Sequence, residues 1–228
     1  MSKTETQLRA FENMIEGSPI PLMTMLRLGF DALFDPVRMF IIYMPGAAGY
    51  YLRRVYYGRI LHHLGKSCLI DIGVLMSGTE RISIGDFCWI DSYCQLSGVM
   101  GDIHIGRRIH IASGCMLASG DRIELQDYVG LAPGVKIFSI SQTPKDGKRI
   151  SGPMIPERYK ASIRAPVVVE RDAWIGTNSV VLPGVTIGEG AVIGANSVVT
   201  KDISAWSIAV GAPAKVVGKR DKVTVPDI

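Results

Sequence analysis

Histidine and cysteine are both scarce in this chain, with four copies of each among 228 residues. Cys68, Cys88, Cys94 and Cys115 show no C-x-x-C spacing, which argues against a zinc module built on thiolates. Apolar runs of spanning length are missing too. In the apolar N-terminal third the longest stretch free of formal charge runs from Met39 to Leu52, about two-thirds of the roughly 20 residues a spanning helix needs, and Pro45-Gly46 interrupts it. No small-residue cleavage site follows an apolar stretch near the start, so reduced, buried thiols in a cytoplasmic protein are expected. Charge of one sign is weak: the net formal charge is +4, and no stripe of Arg and Lys alternates with aromatics, which sets nucleic acid aside. No Gly-rich nucleotide-binding region stands ahead of residue 70, which removes a nucleotidyltransferase. What the chain has instead is glycine, 25 residues of it, and apolar side chains at 47%. Glycine supplies positive φ, so many tight turns around one good-sized core are expected.

Residues 1–66 form a segment of their own, expected to be helical and amphipathic. Thr4–Glu16 suits a short helix broken by Gly17-Ser18-Pro19. From Leu22 to Leu64 the chain is rich in Leu, Met, Phe, Ile and Tyr, and it closes on Tyr50, Tyr51, Arg53, Arg54, Tyr56, Tyr57, Arg59, His62, His63 and Lys66. Aromatics mixed with bases beside apolar residues suit the headgroup layer of an anionic membrane. Residues 22–66 are therefore a candidate for peripheral contact with the inner face of the cytoplasmic membrane. Packing on the main domain or on a neighbouring subunit is the alternative.

From about residue 70 a period of six dominates. Val169, Ile175, Val181, Ile187, Ile193 and Val199 follow one another without a break, and earlier runs read Ile84, Ile90, Leu96, then Ile105, Ile111, Leu117, then Leu125, Leu131, Ile137. A small residue follows many of them, as in Gly85, Gly106, Ala112, Ala132, Gly176, Gly188 and Gly194. Six matches neither a helix nor a plain strand, but it suits a short strand plus a tight turn, three per coil, with one aliphatic per face pointing to the axis. Eighteen residues close one triangular coil, and coils stack at about 4.8 Å. The expected fold is an all-β solenoid over residues 67–220, followed by a tail at 221–228. The steps of 21 from Ile84 to Ile105 and of 20 from Ile105 to Leu125 place extra residues at corners. Residues 138–168 form one long excursion.

The stretch Asp172-Ala173-Trp174-Ile175-Gly176, then Val181-Leu182-Pro183-Gly184-Val185-Thr186-Ile187-Gly188, continuing through Val192–Asp202 to Val210-Gly211-Ala212-Pro213-Ala214-Lys215, resembles the hexapeptide-repeat acyltransferases. The resemblance covers roughly residues 68–220, and Pro45-Gly46 through Gly65 resembles the preface of bacterial surface-polysaccharide O-acetyltransferases. It implies a left-handed parallel β-helix, a homotrimer with sites between subunits, and acetyl-CoA as co-substrate. Periodicity by itself shows neither the handedness nor the trimer.

Acetyl transfer to a hydroxyl needs a base, and histidine is the usual one. His62 and His63 stand ahead of the repeat, where a solvated or membrane-facing role is expected. His104 and His110 each precede an inward aliphatic and therefore point outward. If Val169 resumes the face of Ile84, Ile105 and Leu125 after the excursion, the outward column of the next face reads Trp89, His110, Gly130, Trp174. His110 and Trp174 then lie two coils apart, about 10 Å, with open space at Gly130 as the floor of a cleft. Ile109-His110-Ile111-Ala112-Ser113 also resembles a His-Ile-Ala segment of some superfamily members. His110 is the candidate base, against a surface histidine at a subunit contact. The column of His104, with Ser83 and Glu124, offers no aromatic wall.

Galactoside- and xenobiotic-type relatives usually carry their catalytic histidine in the excursion, and here Phe138–Pro166 contains none. That departure keeps a neutral amine acceptor, needing no strong base, in play. Trp89, Ser141 and Asp146 are candidate acceptor contacts, with an ordinary solvated loop as the alternative for the last two. By resemblance, Gly176, Thr177, Gly194 and Ala195 sit at corners where backbone approaches pantetheine, Trp174 forms an apolar wall, and Thr200, Lys201 and Lys215 meet nucleotide phosphates. Turn geometry alone explains part of the glycine, and a solvated charge is the alternative for Lys201. No metal is expected: the related γ-type carbonic anhydrases use three histidines, and only two lie on these coils. Three functions remain open: O-acetylation of a sugar of a bacterial surface polysaccharide or its precursor, N-acetylation of a nucleotide-linked amino sugar, and a non-catalytic trimeric scaffold.

Overall fold

The structure, a computed structural model, describes residues 3–145, 147–150, 155–224 and 227. Four helices come first: α1 (Lys3–Ile15), α2 (Leu22–Ala32), α3 (Asp35–Tyr43) and α4 (Gly46–Ile60). The breaks fall at the expected punctuation, with Gly17 and Gly46 both at φ +69°. Strand pairing begins earlier than the hexads suggest. His63–Leu64 already forms a rung, with His63 opposite Ser83, so His63 is part of the solenoid rather than of the segment ahead of it.

The rest is a left-handed parallel β-helix of about seven coils, its three faces being sheets of six, eight and six strands. The first face stacks Ile84, Ile105, Leu125, Val169 and Ile187; the second Ile90, Ile111, Leu131, Ile175 and Ile193; the third Leu96, Leu117, Ile137, Val181 and Val199. All are buried and form one continuous core. Their burial is the driving force for coil stacking, at about 25 cal/mol per Å² of apolar surface. The extra residues of the long steps sit at the corner between third and first faces, where Thr79–Arg81 makes a short 3₁₀ turn, and the register survives them.

Each corner leading into the second or third face turns through one left-handed residue, three places before the inward aliphatic. Phe87, Arg108, Tyr128 and Asp172 hold this conformation on one edge, and Tyr93, Asn178 and Asn196 on another. Bulky residues rarely adopt it. Here each is held by a backbone bond to the coil below, as from Phe87 N to Lys66 O (2.8 Å), Arg108 N to Asp86 O (2.9 Å) and Tyr128 N to Arg107 O (2.9 Å). The small residue after each aliphatic has a different cause. A Cβ on Gly176 would lie 2.6 Å from Ala195 N, and one on Gly85 2.5 Å from Gly106 O, because the next corner rests there.

The excursion leaves as an antiparallel arm, Ile140–Gln142 against Ser162–Arg164, and the chain returns in register at Val167–Val169 beside Ile123–Leu125. Cys68, Cys88, Cys94 and Cys115 are all buried and free, with Cys88 one coil above Cys68.

Helix α4 closes the first coil. N–H groups of that coil donate upward, as from Leu69 to Cys88 O and Leu75 to Cys94 O (both 2.9 Å), and several of its carbonyls, among them those of Gly65, Ile70 and Val74, face out of the end. Side-chain donors of α4 meet them: Arg53 Nε reaches Ile70 O (2.8 Å), Tyr57 Oη reaches Val74 O (2.6 Å), and Arg54 reaches Gly65 O (3.2 Å). Arg53 also donates to Met44 O (2.6 Å) and is buried; burial lowers its pKa, partly offset by Asp71. Arg53, Arg54 and Tyr57 therefore serve the solenoid end.

Candidate active site

The outward column of the second face reads Trp89, His110, Gly130, Trp174, Val192, rung upon rung. His110 Nε2 lies 3.1 Å from Asp91 Oδ2, with the imidazole side chain 53% exposed and the carboxylate 21%. The Trp89 ring stands 5.5 Å away, tilted by 40°. An Nε2–H donating to Asp91 leaves a lone pair on Nδ1, the arrangement in which a carboxylate orients an imidazole as a base. Asp91 is a candidate site residue that the search for histidines passes over. Its signal is positional: it follows an inward aliphatic, where the upper coils of this face carry Ala112, Ala132, Gly176 and Gly194.

The space expected at Gly130 is filled. A Cβ there would lie 2.9 Å from Trp174 Cδ1, so the indole leans over the glycine toward His110. The long flat ring takes the room that the missing side chain frees. Asp71, one coil below Asp91, faces α4; burial, then the Asp71 charge and hydrogen bond, raise the Tyr50 phenol.

Gly176 and Thr177 lie beneath Gly194 and Ala195 at the corner between second and third faces, joined by Asn196 N to Thr177 O (2.8 Å). Gly176 is buried and Gly194 is covered by Val210, so coil stacking accounts for both glycines. Thr177 and Ala195 offer the accessible surface there. Lys215 opens the final strand Lys215–Lys219 and is exposed; its neighbour Ala214 bonds Val198 O (2.8 Å). Thr200 and Lys201 are exposed just after the strand Val198–Val199, toward the next corner.

Ser141 is not brought to His110 within one chain. The arm is rooted at the opposite vertex of the triangle, where Ser139 Oγ accepts from Gly120 N (2.9 Å) and Asp121 N (3.1 Å). Asp146 lies outside the described residues. A groove of about 650 Å³ runs along the first face, lined by His63, Ser83, His104, Arg122, Glu124 and Arg171 among others. A groove of the single chain thus lies beside His104, while the carboxylate-paired imidazole is on the neighbouring face. Among the described residues, His104 has no hydrogen-bonded carboxylate to orient it. Orientation outweighs concavity in choosing between the two, because a base acts through a fixed lone pair and a cleft can be completed by a neighbour.

A parallel β-helix built of hexads is the architecture that defines the hexapeptide-repeat class. Residues 166–201 match the family described as bacterial transferase hexapeptide (six repeats). The chain is 35% identical over 159 residues to a dTDP-4-amino-4,6-dideoxy-D-glucose acyltransferase of Escherichia coli, covering 70% of this chain and 82% of that one. It is 32% identical to the galactoside O-acetyltransferase of Escherichia coli K12, over 61% of this chain and 66% of the relative. Among solved structures it is similar to AntD, an N-acyltransferase from Bacillus cereus in complex with dTDP and 3-hydroxybutyryl-CoA, with a TM-score of 0.68, 28% identity, and 74% and 88% of the two chains covered. The chain belongs to the hexapeptide-repeat acyltransferases.

Proposed function

We propose that this protein transfers an acetyl group from acetyl-CoA to a sugar hydroxyl of a bacterial surface polysaccharide or its precursor. The observation that carries this reading is the His110–Asp91 pair beside two tryptophans. A hydroxyl must lose its proton as it attacks a thioester, and an oriented imidazole supplies the acceptor for it. The Nδ1 lone pair takes that proton, the imidazolium is held by Asp91, and the proton goes on to the departing thiolate. Thr177 and Ala195 suit a pantetheine arm by being small and accessible, Trp174 suits its apolar flank, and Lys201 and Lys215 suit the phosphates. Trp89 is the acceptor's stacking wall. Because Ser141 and the arm stand at the far vertex, a homotrimer in which a neighbour's arm closes the second face completes the site. The protein works on the cytoplasmic side, with residues 22–66 in peripheral contact with the membrane.

N-acylation of a nucleotide-linked amino sugar is the second reading, favoured by the likeness to the Escherichia coli and Bacillus cereus acyltransferases, both named for such chemistry or for a dTDP complex. An amine that binds neutral needs the base less. A thiol-release assay with acetyl-CoA and panels of sugars and nucleotide amino sugars decides between them. With a hydroxyl acceptor, His110→Ala is expected to lower kcat by about 10²- to 10⁴-fold. Full activity of that variant removes His110 as base, and no binding of CoA leaves a trimeric scaffold.

A further inference from the structure

Between the helical segment and the first coils lies a hollow of about 490 Å³, separate from the His110 face and from the groove beside His104. Its volume falls among those of small-molecule sites, which run from about 300 to 1,000 Å³. Leu8 and Phe11 of α1, Ile60 of α4, and Met76 and Val99 of the coils give it apolar walls. Arg38 of α3 and Tyr56 of α4, both half-buried, are set into the same walls.

Arg38 is the unmatched group of this hollow. Its Nε is a buried atom without a hydrogen-bond partner, and its side chain makes no hydrogen bond or ion pair among the described residues. Arg53, by contrast, has Ile70 O (2.8 Å) and Met44 O (2.6 Å) as acceptors. A buried donor left without an acceptor costs free energy, the more so on a charged group. Burial raises the phenol of Tyr56, with the Arg38 charge opposing the rise, so its hydroxyl stays an O–H that can donate. One carboxylate, Glu80, also borders the hollow, but it is exposed on the turn Thr79–Arg81, where water and salt screen it. The walls therefore hold donors whose acceptor has to come from an occupant. A guanidinium fork matches a carboxylate, and the apolar walls match a hydrocarbon body. A phosphate would bring a second charge that one guanidinium leaves unmatched.

We propose that this hollow binds a small apolar carboxylate, its head on Arg38 and Tyr56 and its chain between α1 and the coils. Such an occupant ties α1, α3 and α4 to the solenoid and stabilises the folded chain by mass action. The site is independent of the chemistry at His110. The test is calorimetric titration and thermal unfolding of the full-length protein with octanoate, against octanol and octylamine. Wild type is expected to bind octanoate with a rise in Tm, and to bind the alcohol and the amine about tenfold or more weakly. Arg38→Met removes the unmatched donor and keeps an unbranched side chain, so its Tm without ligand is expected to be no lower than that of wild type, while octanoate affinity falls about tenfold or more. Arg38→Lys keeps the charge without the fork, and its affinity is expected to lie between the two. Wild type that does not bind octanoate, equal binding of octanol or octylamine, or an unaltered octanoate affinity in Arg38→Met would each overturn the proposal. Thiol release by Arg38→Met is expected to match wild type, since the hollow and the His110–Asp91 pair share no residue. Full thiol release by His110→Ala bears on the proposed chemistry alone.

Discussion

Asp91 shows how much a single hexad position can carry. The residue after an inward aliphatic is small on most coils because the next corner rests on it, as the 2.6 Å approach of Ala195 N to a Cβ on Gly176 shows. A carboxylate in that place reaches out and sideways to the rung above, 3.1 Å from His110. Asp91→Asn is expected to preserve the fold and the KM for acetyl-CoA while lowering kcat, less severely than His110→Ala, because an amide can hold the wrong imidazole tautomer. Steady-state kinetics of the two variants side by side check this. The column itself was legible, since a fixed period places His110 over Trp89 without any knowledge of tertiary contacts. The pairing to Asp91 and the lean of Trp174 were not, because they depend on side-chain direction and not on spacing. The buried Tyr57 makes a second prediction at this scale. Burial raises its phenol, whose hydroxyl donates to Val74 O. A group raised in the folded state contributes stability below its unfolded pKa and loses it as pH climbs above. Calorimetric Tm is therefore expected to fall from about pH 10 upward, and Tyr57→Phe to flatten that fall.

Among the elements, α4 changes most between sequence and structure. Its boundaries are written in Pro45-Gly46 and the loss of helical character after Ile60, yet its role is not, because Tyr and Arg beside apolar residues look alike whether they face headgroups or a row of carbonyls. Likewise the rung at His63–Leu64 has no hexad before it, so no period announces it. The seat of α4 depends on Gly49, where a methyl would come within 1.9 Å of Met44 O and 2.8 Å of Arg53 Nη1. Gly49→Ala is expected to cost about 1–3 kcal/mol, read as a lower midpoint in urea, and to loosen the helical segment before the solenoid. The arm is legible only as a gap. Its antiparallel pairing has no repeat to declare it, and its root on the vertex opposite His110 emerges only when the three faces are closed.

At the scale of the whole molecule, the solenoid is a stack of near-identical layers, and the six-residue period carried nearly all of it: the face registers from Ile84 through Val169 follow by counting, across extra corner residues and across the excursion. What counting does not reach is how copies assemble. Sedimentation equilibrium is expected to give about three times the 24.8 kDa of the chain, and a monomer at working concentration would remove the neighbour's arm from the site. The first coil bears on assembly in another way. A stack of parallel strands ends in a row of unpaired N–H and C=O groups, and such an edge is a template on which a further strand of any chain can add. Arg53, Arg54 and Tyr57 bring donors to three carbonyls of that row, and Gly73 N donates to Ile42 O just ahead of α4. The same contacts that seat one helix therefore also blunt this end of the stack against end-to-end growth.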